Sequence, residues 1–565
     1  MQRRVIRHLI SRALRAVLLL PALGIAHADA PAAAADPLAM ALADNSLPNR
    51  EGGVPPQCYT RTGAHSNPCW VCHTQKNGRN LMDDWGLQAK YEFSPVGKTN
   101  HWTNLFKDRR AAIARISDAQ ALAYIRQDNY TPLRAALAQH ASFAGWRPDL
   151  DYRQGFDSAG FARDGSGWRA FRYKPFPGTF WPTNGSTDDV LLRLPARFRE
   201  DAQGAPSPEI YKINLAILEA AMAVPDTVSD AALKRRVEPL DEAAAGMDLD
   251  GDGRIGGTID TIRGLPPHYA GAAASEPVRR YDYPLGIEFL HSVRYVDPDA
   301  PALLSERLKE LRYSVKLMSV SETALHAKYA EEARAKKIGA LPDFAGNAET
   351  GLANTFGWKL QGFIEDASGA LRLQTRQEQM FCLGCHTTIG VTVDQTFGLP
   401  RKVPGAAGWG HQDLAGIVDV PQAGSRTPEI RQYFERVGGG DEFRANDEIL
   451  TRFFPGGILD RAALRRAAPG GDQDIRALIV PTRERALRLD KAYMDLVSEQ
   501  SFALGRDAVP APLQNVHERL EDTATALKAS GHVYRDGRLW LDWSGAGGDA
   551  GPGAVASVKS VTTPP

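Results

Sequence analysis

A five-residue pattern that occurs twice constrains this chain more than any other feature of its sequence. The form C-x-x-C-H is taken by Cys69-Trp70-Val71-Cys72-His73 and again by Cys382-Leu383-Gly384-Cys385-His386. This is the attachment signature of c-type haem, in which both thiols bond to the porphyrin and the histidine ligates the iron. The two motifs therefore predict two haem c groups, one attached through the thiols and the histidine of each motif.

Other chemistry of a C-x-x-C pair fits the sequence less well. Half of a zinc site would need further ligands at a matching spacing, and a thioredoxin-like redox pair would not need the histidine that follows. Four of the five cysteines then belong to haem attachment, which leaves Cys58 without a partner inside the chain. Its thiol is predicted to be a buried group that packs as a small hydrophobe. The alternatives are a bridge to another molecule and a role beside the first haem.

Residues 1–28 have the pattern of a secretory signal peptide. Five arginines precede an apolar run from Ala16 to Ile25, and Ala26-His27-Ala28 places small residues at the cleavage site. The run is too short to span a bilayer, and no cysteine directly follows it to support a lipid anchor. We therefore expect export to the periplasm, or to the outer face of the cell, of a chain without a membrane span.

The charge and the length of the chain limit its partners and its organisation. It has 67 Lys and Arg and 67 Asp and Glu residues, and removal of the signal peptide takes away five arginines, which leaves a net charge of about −5. This balance is too mild to indicate a nucleic-acid partner, and two haems in an exported chain predict periplasmic redox proteins as partners instead. A chain of 565 residues is expected to form two or three domains. The sequence does not predict an oligomeric state.

Helical periodicity predicts a mainly α fold with long irregular loops. Apolar residues recur at helical spacing in 118–139, 206–224 and 302–337, whereas the aromatic-rich stretch 161–184 has the Gly and Pro of a loop. Two cytochrome c-like haem regions are expected on either side of a helical middle region. The predicted boundaries are 1–28 for the signal peptide, 29–200 for the first haem region, 201–350 for the middle region, 351–544 for the second haem region and 545–565 for a disordered tail.

Three histidines are candidates for the second axial ligand of a haem iron. His101 and His411 follow the first and the second motif at similar distances, and His291 lies in the apolar stretch 287–296, which has the pattern of a strand or the start of a helix. Neither motif has a methionine at the distance usual in small cytochromes, so a histidine or an open position is expected. The alternative for each candidate is an ordinary surface or core histidine.

A calcium pattern lies in the middle region. Asp248, Asp250 and Asp252 alternate ahead of Gly253, as in the first half of an EF-hand loop. The twelfth position, where a bidentate carboxylate would close the shell, is Ile259. The loop predicts bound calcium, with a solvated acidic turn as the alternative.

The paired motifs resemble those of the diheme c-type cytochromes, a group that includes diheme cytochrome c peroxidases, MauG-type enzymes and rubber oxygenases. The resemblance covers the motif residues Cys69–His73 and Cys382–His386, which lie farther apart here than in that group. It implies an exported protein that passes electrons between periplasmic partners through two haems. The alternative that it implies is a peroxidase or oxygenase, in which one haem iron has an open position for hydrogen peroxide or dioxygen.

Overall fold

The computed structural model describes most of the chain between Asp36 and Ala546. The described residues are 36–44, 46, 53–61, 68–73, 79, 81, 93–225, 228–340, 344–437, 446–467, 474–520 and 537–546. The predicted signal peptide, the tail beyond residue 546 and the side chain of Cys69 lie outside them. Within this described part, no helix is long and apolar enough to cross a membrane.

Eight antiparallel strands form a sheet at the centre of the fold. The strands, in chain order, are β1 (Arg169–Phe171), β2 (Thr187–Arg193), β3 (Lys234–Asp241), β4 (Thr258–Arg263), β5 (Glu288–Val296), β6 (Leu304–Lys316), β7 (Gly346–Asn347), β8 (Gly351–Ala353), β9 (Trp358–Glu365) and β10 (Leu371–Leu373). The sheet has the order β1, β2, β5, β6, β9, β8, β7, with β10 beside β9, and β3 pairs with β4 separately. The prediction of a mainly α fold is therefore wrong. The central sheet takes strands from all three of the regions that the sequence predicted.

Helices contact this sheet and fill the remainder of the fold. They are α1 (Ala39–Ala43), α2 (Arg110–Arg115), α3 (Asp118–Ile125), α4 (Tyr130–Gln139), α5 (Pro208–Met222), α6 (Glu242–Ala245), α7 (Glu322–Lys337), α8 (Arg376–Cys385), α9 (Glu429–Val437), α10 (Asp447–Phe453), α11 (Arg461–Ala467), α12 (Arg476–Ile479) and α13 (Arg483–Glu499). Of these, α4, α8 and α13 pack directly against strands of the sheet. The sequence predicted such helices correctly in places but not the sheet that they pack on.

Segment 302–337 shows why helical periodicity is misleading in this chain. Its first half is strand β6, and helix α7 begins only at Glu322. Leu308 and Leu311 are three residues apart, as on one side of a helix, but the pairing of β6 with β5 is interrupted by a bulge between them. The extra residue in a bulge turns the chain by one side-chain position. Both leucines therefore point to the same face of the sheet and are buried in the same apolar cluster.

The two faces of the sheet have different surroundings. Because side chains alternate between the faces along each strand, every second residue of a strand points to the same side. On one side, Leu191, Leu290 and Leu311 pack with helix α4 in a buried apolar cluster. On the other side, His291 of β5 and Arg312 of β6 are direct cross-strand neighbours, and both line a cavity. The sheet thus has one apolar core face and one face with charged groups.

Short helical segments position the two C-x-x-C-H motifs. The first motif begins in a 3-10 helix, Pro68–Val71, and the second ends helix α8, with His386 as its C-cap. A capping box fixes the start of α8, because the Thr375 hydroxyl accepts from the N–H of Glu378 while the Glu378 carboxylate accepts from the N–H of Thr375. The orientation of α8, and with it that of the second motif, is set by a cap and by packing on the sheet.

Candidate functional site

The two motifs meet at one cavity, although they are far apart in the sequence. The cavity has a volume of about 380 Å³, within the range of about 300–1,000 Å³ that is usual for cofactor and ligand sites. Residues of both motifs line it, namely Val71, Cys72, His73, Cys382, Leu383, Gly384, Cys385 and His386. Cys58 lines the same cavity, and the charged face of the sheet forms another part of its wall.

Direct packing joins the segment before the first motif to the second motif. A Cβ atom added to Gly384 would lie 1.7 Å from the backbone oxygen of Gly53, so no side chain fits at this position of the second motif. Trp70 and Val71 are buried in an apolar cluster that also contains Ile389. The Cys72 and Cys385 side chains pack against this cluster. The motifs therefore share a core and a cavity.

The thiols of Cys72, Cys382 and Cys385 favour their neutral form. Cys72, Cys382 and Cys385 are free cysteines. Burial raises the pKa of Cys72 and of Cys382, and it raises the pKa of Cys385 to about 11. A thiolate is the form that binds zinc or attacks a disulfide. Among the described residues, the motif side chains also form no cluster with the spacing of metal ligands. These thiols are therefore poor nucleophiles as they stand in the fold.

Hydrogen bonds hold His386 in one tautomer and its backbone in place. Its Nδ1 lies 2.7 Å from the backbone oxygen of Gln395, and since a carbonyl only accepts, Nδ1 carries the proton and donates. The lone pair is then on Nε2, which is the arrangement usual for a metal-binding histidine. Burial, with smaller contributions from Arg312 and His291, lowers the pKa of His386 to about 4. The Asn354 side chain donates to the His386 backbone oxygen at 2.6 Å and holds the segment in place.

Of the three candidate distal histidines, His291 is the one that lines the cavity. Its Nε2 is 2.9 Å from the Asp188 carboxylate, and the edge of its ring meets Phe180 at 5.0 Å between centroids. His411 lies outside the cavity wall, where its Nε2 bonds Asp189 at 2.9 Å.

His101 also lies outside the cavity wall, next to Trp102. The Trp102 ring packs edge-on against Phe381, 5.6 Å between centroids, and Phe381 precedes the second motif. His101 Nε2 is buried without a hydrogen-bond partner among the described residues. The structure therefore brings His291 into the cavity wall with the motifs, and places His101 and His411 elsewhere.

The charged groups of the cavity wall were not among the predicted site residues. Asp188, Glu310, Arg312 and Arg506 come from β2, β6 and the segment after α13. Burial disfavours the charged form of Glu310, but the guanidinium groups of Arg312 and Arg506 outweigh it and lower the pKa of Glu310 to about 2. The alternation of Glu310 and Arg312 along a strand is the one pattern that could have indicated a shared face.

At the acidic loop of the middle region, the structure brings together a different set of carboxylates from the set that the EF-hand pattern predicts. Glu242, Asp248 and Asp250 have carboxylate oxygens within 4.8 Å of one another. Glu242 is buried, and its Oε1 accepts from the N–H groups of Leu249 and Asp250. Asp252, which the loop pattern included, instead accepts from the N–H of Arg254. Glu242 was missed because it precedes the loop.

Comparison with known proteins identifies a family. A family model described as a lipoprotein family matches residues 42–470. An uncharacterized lipoprotein of Aquifex aeolicus is 33% identical over 517 residues, which cover 81% of this chain and 86% of that protein. No solved structure matches the chain.

These findings correct the resemblance to diheme cytochromes. That resemblance rested on the motif residues alone, and a short motif specifies a local attachment chemistry but not a fold. The family match and the β-sheet core show that assignment to the diheme cytochrome c peroxidase, MauG-type and rubber oxygenase group is wrong. The functions taken from that group, periplasmic electron transfer or peroxidase and oxygenase chemistry, lose their support with it. The chain belongs to a family of exported lipoproteins.

Proposed function

We propose that this lipoprotein binds haem covalently in its central cavity. Attachment would be through Cys69 and Cys72 for one haem and through Cys382 and Cys385 for the other. The observation that carries the proposal is that both C-x-x-C-H motifs line one cavity of the size of a cofactor site. Nothing in the local sequence requires two distant motifs to meet, so their meeting favours a shared purpose for them over coincidence.

The residues around the second motif fit this role. His386 offers Nε2 to an iron because Gln395 takes the proton on Nδ1. The surroundings of Cys382 and Cys385 favour uncharged sulfur, and the thioethers formed there on attachment would carry no charge. When bound, haem would supply an iron centre able to take histidine and other small ligands. His73 is the corresponding iron ligand that we propose for the first motif, where it lines the same cavity.

His291 is a further residue that we propose would face a haem held by the second motif. It lines the cavity together with His386. The Asp188 carboxylate holds Nε2 of His291, so its Nδ1 is the nitrogen available to a ligand or to the iron.

Covalent attachment can be tested by mass. The full chain is produced in a bacterial host that exports and matures c-type haem proteins, and its intact mass is measured after denaturation. We expect the mass of the processed chain plus two haems. Exchange of both cysteines for alanine in one motif, C69A with C72A or C382A with C385A, should remove one haem. The matched control is Cys58→Ala, which alters a cysteine of the same cavity outside the motifs and should retain both haems. Folded, exported chain with no added mass would refute the proposal.

The cellular location that we propose is the periplasm. Membership of a lipoprotein family supports export of the chain, and attachment of haem to C-x-x-C-H takes place after export. Fractionation of the native host should recover the chain from the periplasm or from the periplasmic side of a membrane. Recovery from the cytoplasm would contradict this location.

We further propose a calcium ion at Glu242, Asp248 and Asp250. Three carboxylates within 4.8 Å of one another repel unless a cation or protons neutralise them. Oxygen ligands of this kind are those that calcium prefers. Calcium should raise the midpoint of thermal unfolding of the wild-type chain and not that of the Glu242→Gln variant.

A further inference from the structure

We propose that the cavity contains a binding site for a carboxylate or similar planar oxyanion, formed by the guanidinium groups of Arg312 and Arg506. Arg312 lies on the cavity face of β6, directly opposite His291 of β5. Arg506 reaches the same wall from the segment that follows α13. Neither arginine belongs to a C-x-x-C-H motif, and the site does not require a bound haem.

One carboxylate oxygen serves both arginines. Glu310 Oε2 accepts from Arg312 Nε at 3.0 Å and from Arg506 Nη1 at 2.8 Å. It also accepts from the Gln374 amide at 3.1 Å. Arg312 and Arg506 have side chains that are 16% and 4% exposed. Two largely buried guanidinium groups thus share a single acceptor atom, which leaves donors of both groups for another anion.

The remaining donors of these arginines support this reading. Arg506 Nη2 donates to the Glu378 backbone oxygen at 2.6 Å, whereas its Nε is buried and has no hydrogen-bond partner among the described residues. A buried N–H group without a partner is rare in native proteins, since it costs about 1–3 kcal/mol. Because this Nε has almost no accessible surface, the donors left for an anion are those of the terminal nitrogens of Arg312 and Arg506 that Glu310 and Glu378 do not take.

Aromatic rings hold Arg312 in a fixed plane. Its guanidinium carbon lies 5.2 Å from the centroid of Phe180 and 5.7 Å from that of Phe381. Arginine packed against ring faces presents a rigid planar fork, and this fork matches the two oxygens of a carboxylate. Arg312 lines the same cavity as Cys382 and Cys385. The fork therefore faces the space beside the second motif.

Two ligands share the chemistry that this fork recognises. One is a carboxylate side chain of a haem bound at the second motif, and this possibility rests on the proposed function. The other is a free small carboxylate that enters the cavity, which does not. Acetate is a suitable probe for both, because it carries only the group in question.

Calorimetric titration with acetate, against chloride at equal ionic strength, tests the site in two forms of the full chain. One is wild-type chain from a host without haem attachment, and the other is the haem-loaded chain. We expect the haem-free chain to bind acetate and Arg312→Gln to weaken that binding about tenfold to a hundredfold, as loss of a charged hydrogen-bonding group does. Lys336→Gln is the matched control, because Lys336 lines the same cavity and is paired with Glu332 of its own helix.

The outcomes separate the two sources and the two proposals. Binding of acetate by the haem-free chain alone means that a haem carboxylate fills the fork, and binding by both forms means a free carboxylate site. No binding by haem-free, folded chain, or equal binding by Arg312→Gln, overturns the site. If circular dichroism shows that Arg312→Gln does not fold, Arg312→Lys decides, since it keeps the charge and loses the fork. Failure of haem attachment leaves the haem-free titration unaffected, so the proposals fail independently.

Discussion

Gly384→Ala tests whether the segment before the first motif is locked against the second motif. The added Cβ would lie 1.7 Å from the Gly53 oxygen and 2.8 Å from its carbonyl carbon. Real Cβ atoms do not approach backbone atoms this closely, so the segment of Gly53 must move or α8 must shift. Relief by a side-chain rotation is excluded because the obstructing atoms are backbone.

The expected cost follows from the kind of clash. Overpacking of a well-packed interior lowers the free energy of unfolding by about 1–3 kcal/mol. We expect the cost of Gly384→Ala to be at or above the upper end of this range, because the added methyl group meets backbone atoms of Gly53. Trp70 and Val71, which follow Gly53 in the chain, are buried and resist displacement. Urea denaturation followed by circular dichroism measures the difference through the shift in midpoint.

A matched control makes the result specific. Gly545→Ala adds the same methyl group where no heavy atom lies within 4 Å. It should leave the midpoint unchanged, and limited proteolysis should cut the chain around residues 53–73 faster in Gly384→Ala only. An unchanged urea midpoint and unchanged proteolysis for Gly384→Ala would refute the packing that joins the two motifs.

Three further predictions concern pH, spectrum and metal. Burial raises the pKa of Glu365 to about 7 despite the nearby Arg307. Between pH about 4.5 and about 7 the native state therefore keeps a proton that the unfolded state has lost. The free energy of unfolding should fall by up to about 3 kcal/mol as the pH rises through this range. Urea midpoints of Glu365→Gln across this range should lack that slope, and an identical slope would contradict the assignment. In the haem-loaded chain, His291→Ala should change the visible spectrum. His411→Ala is the control, because His411 also pairs with an aspartate, and it should leave the spectrum unchanged. Equal spectra for the wild type and both variants would show that His291 does not contact a haem. Glu242→Gln should abolish the calcium-dependent rise in unfolding temperature that Asp252→Asn retains, and a rise in both variants would place calcium elsewhere.

Local patterns in this sequence were informative where the chemistry is local. The motif residues Cys72, His73, Cys385 and His386 can be found by spacing alone, because haem attachment requires that spacing. That these residues line one cavity could not be predicted, because it depends on contacts between segments that are distant in the chain. Export was also predictable, and the family comparison supports it.

The sheet was not predictable from periodicity. In β6 a bulge places Leu308 and Leu311 on one face, so a strand reproduced the three-residue spacing of a helix. The buried charged groups were missed for a related reason. Glu310 and Arg312 are separated from Arg506 in the sequence, and only the folded sheet brings them to one wall. Glu242 likewise joins the acidic loop through the fold rather than through the loop pattern.

The most direct test of the central claim is a crystal structure of the chain matured with haem, with anomalous diffraction data collected at the iron absorption edge. We expect two iron peaks within the cavity that both motifs line, one beside His73 and one beside His386. Iron peaks absent from crystals of matured, folded chain, or peaks remote from these histidines, would contradict the account.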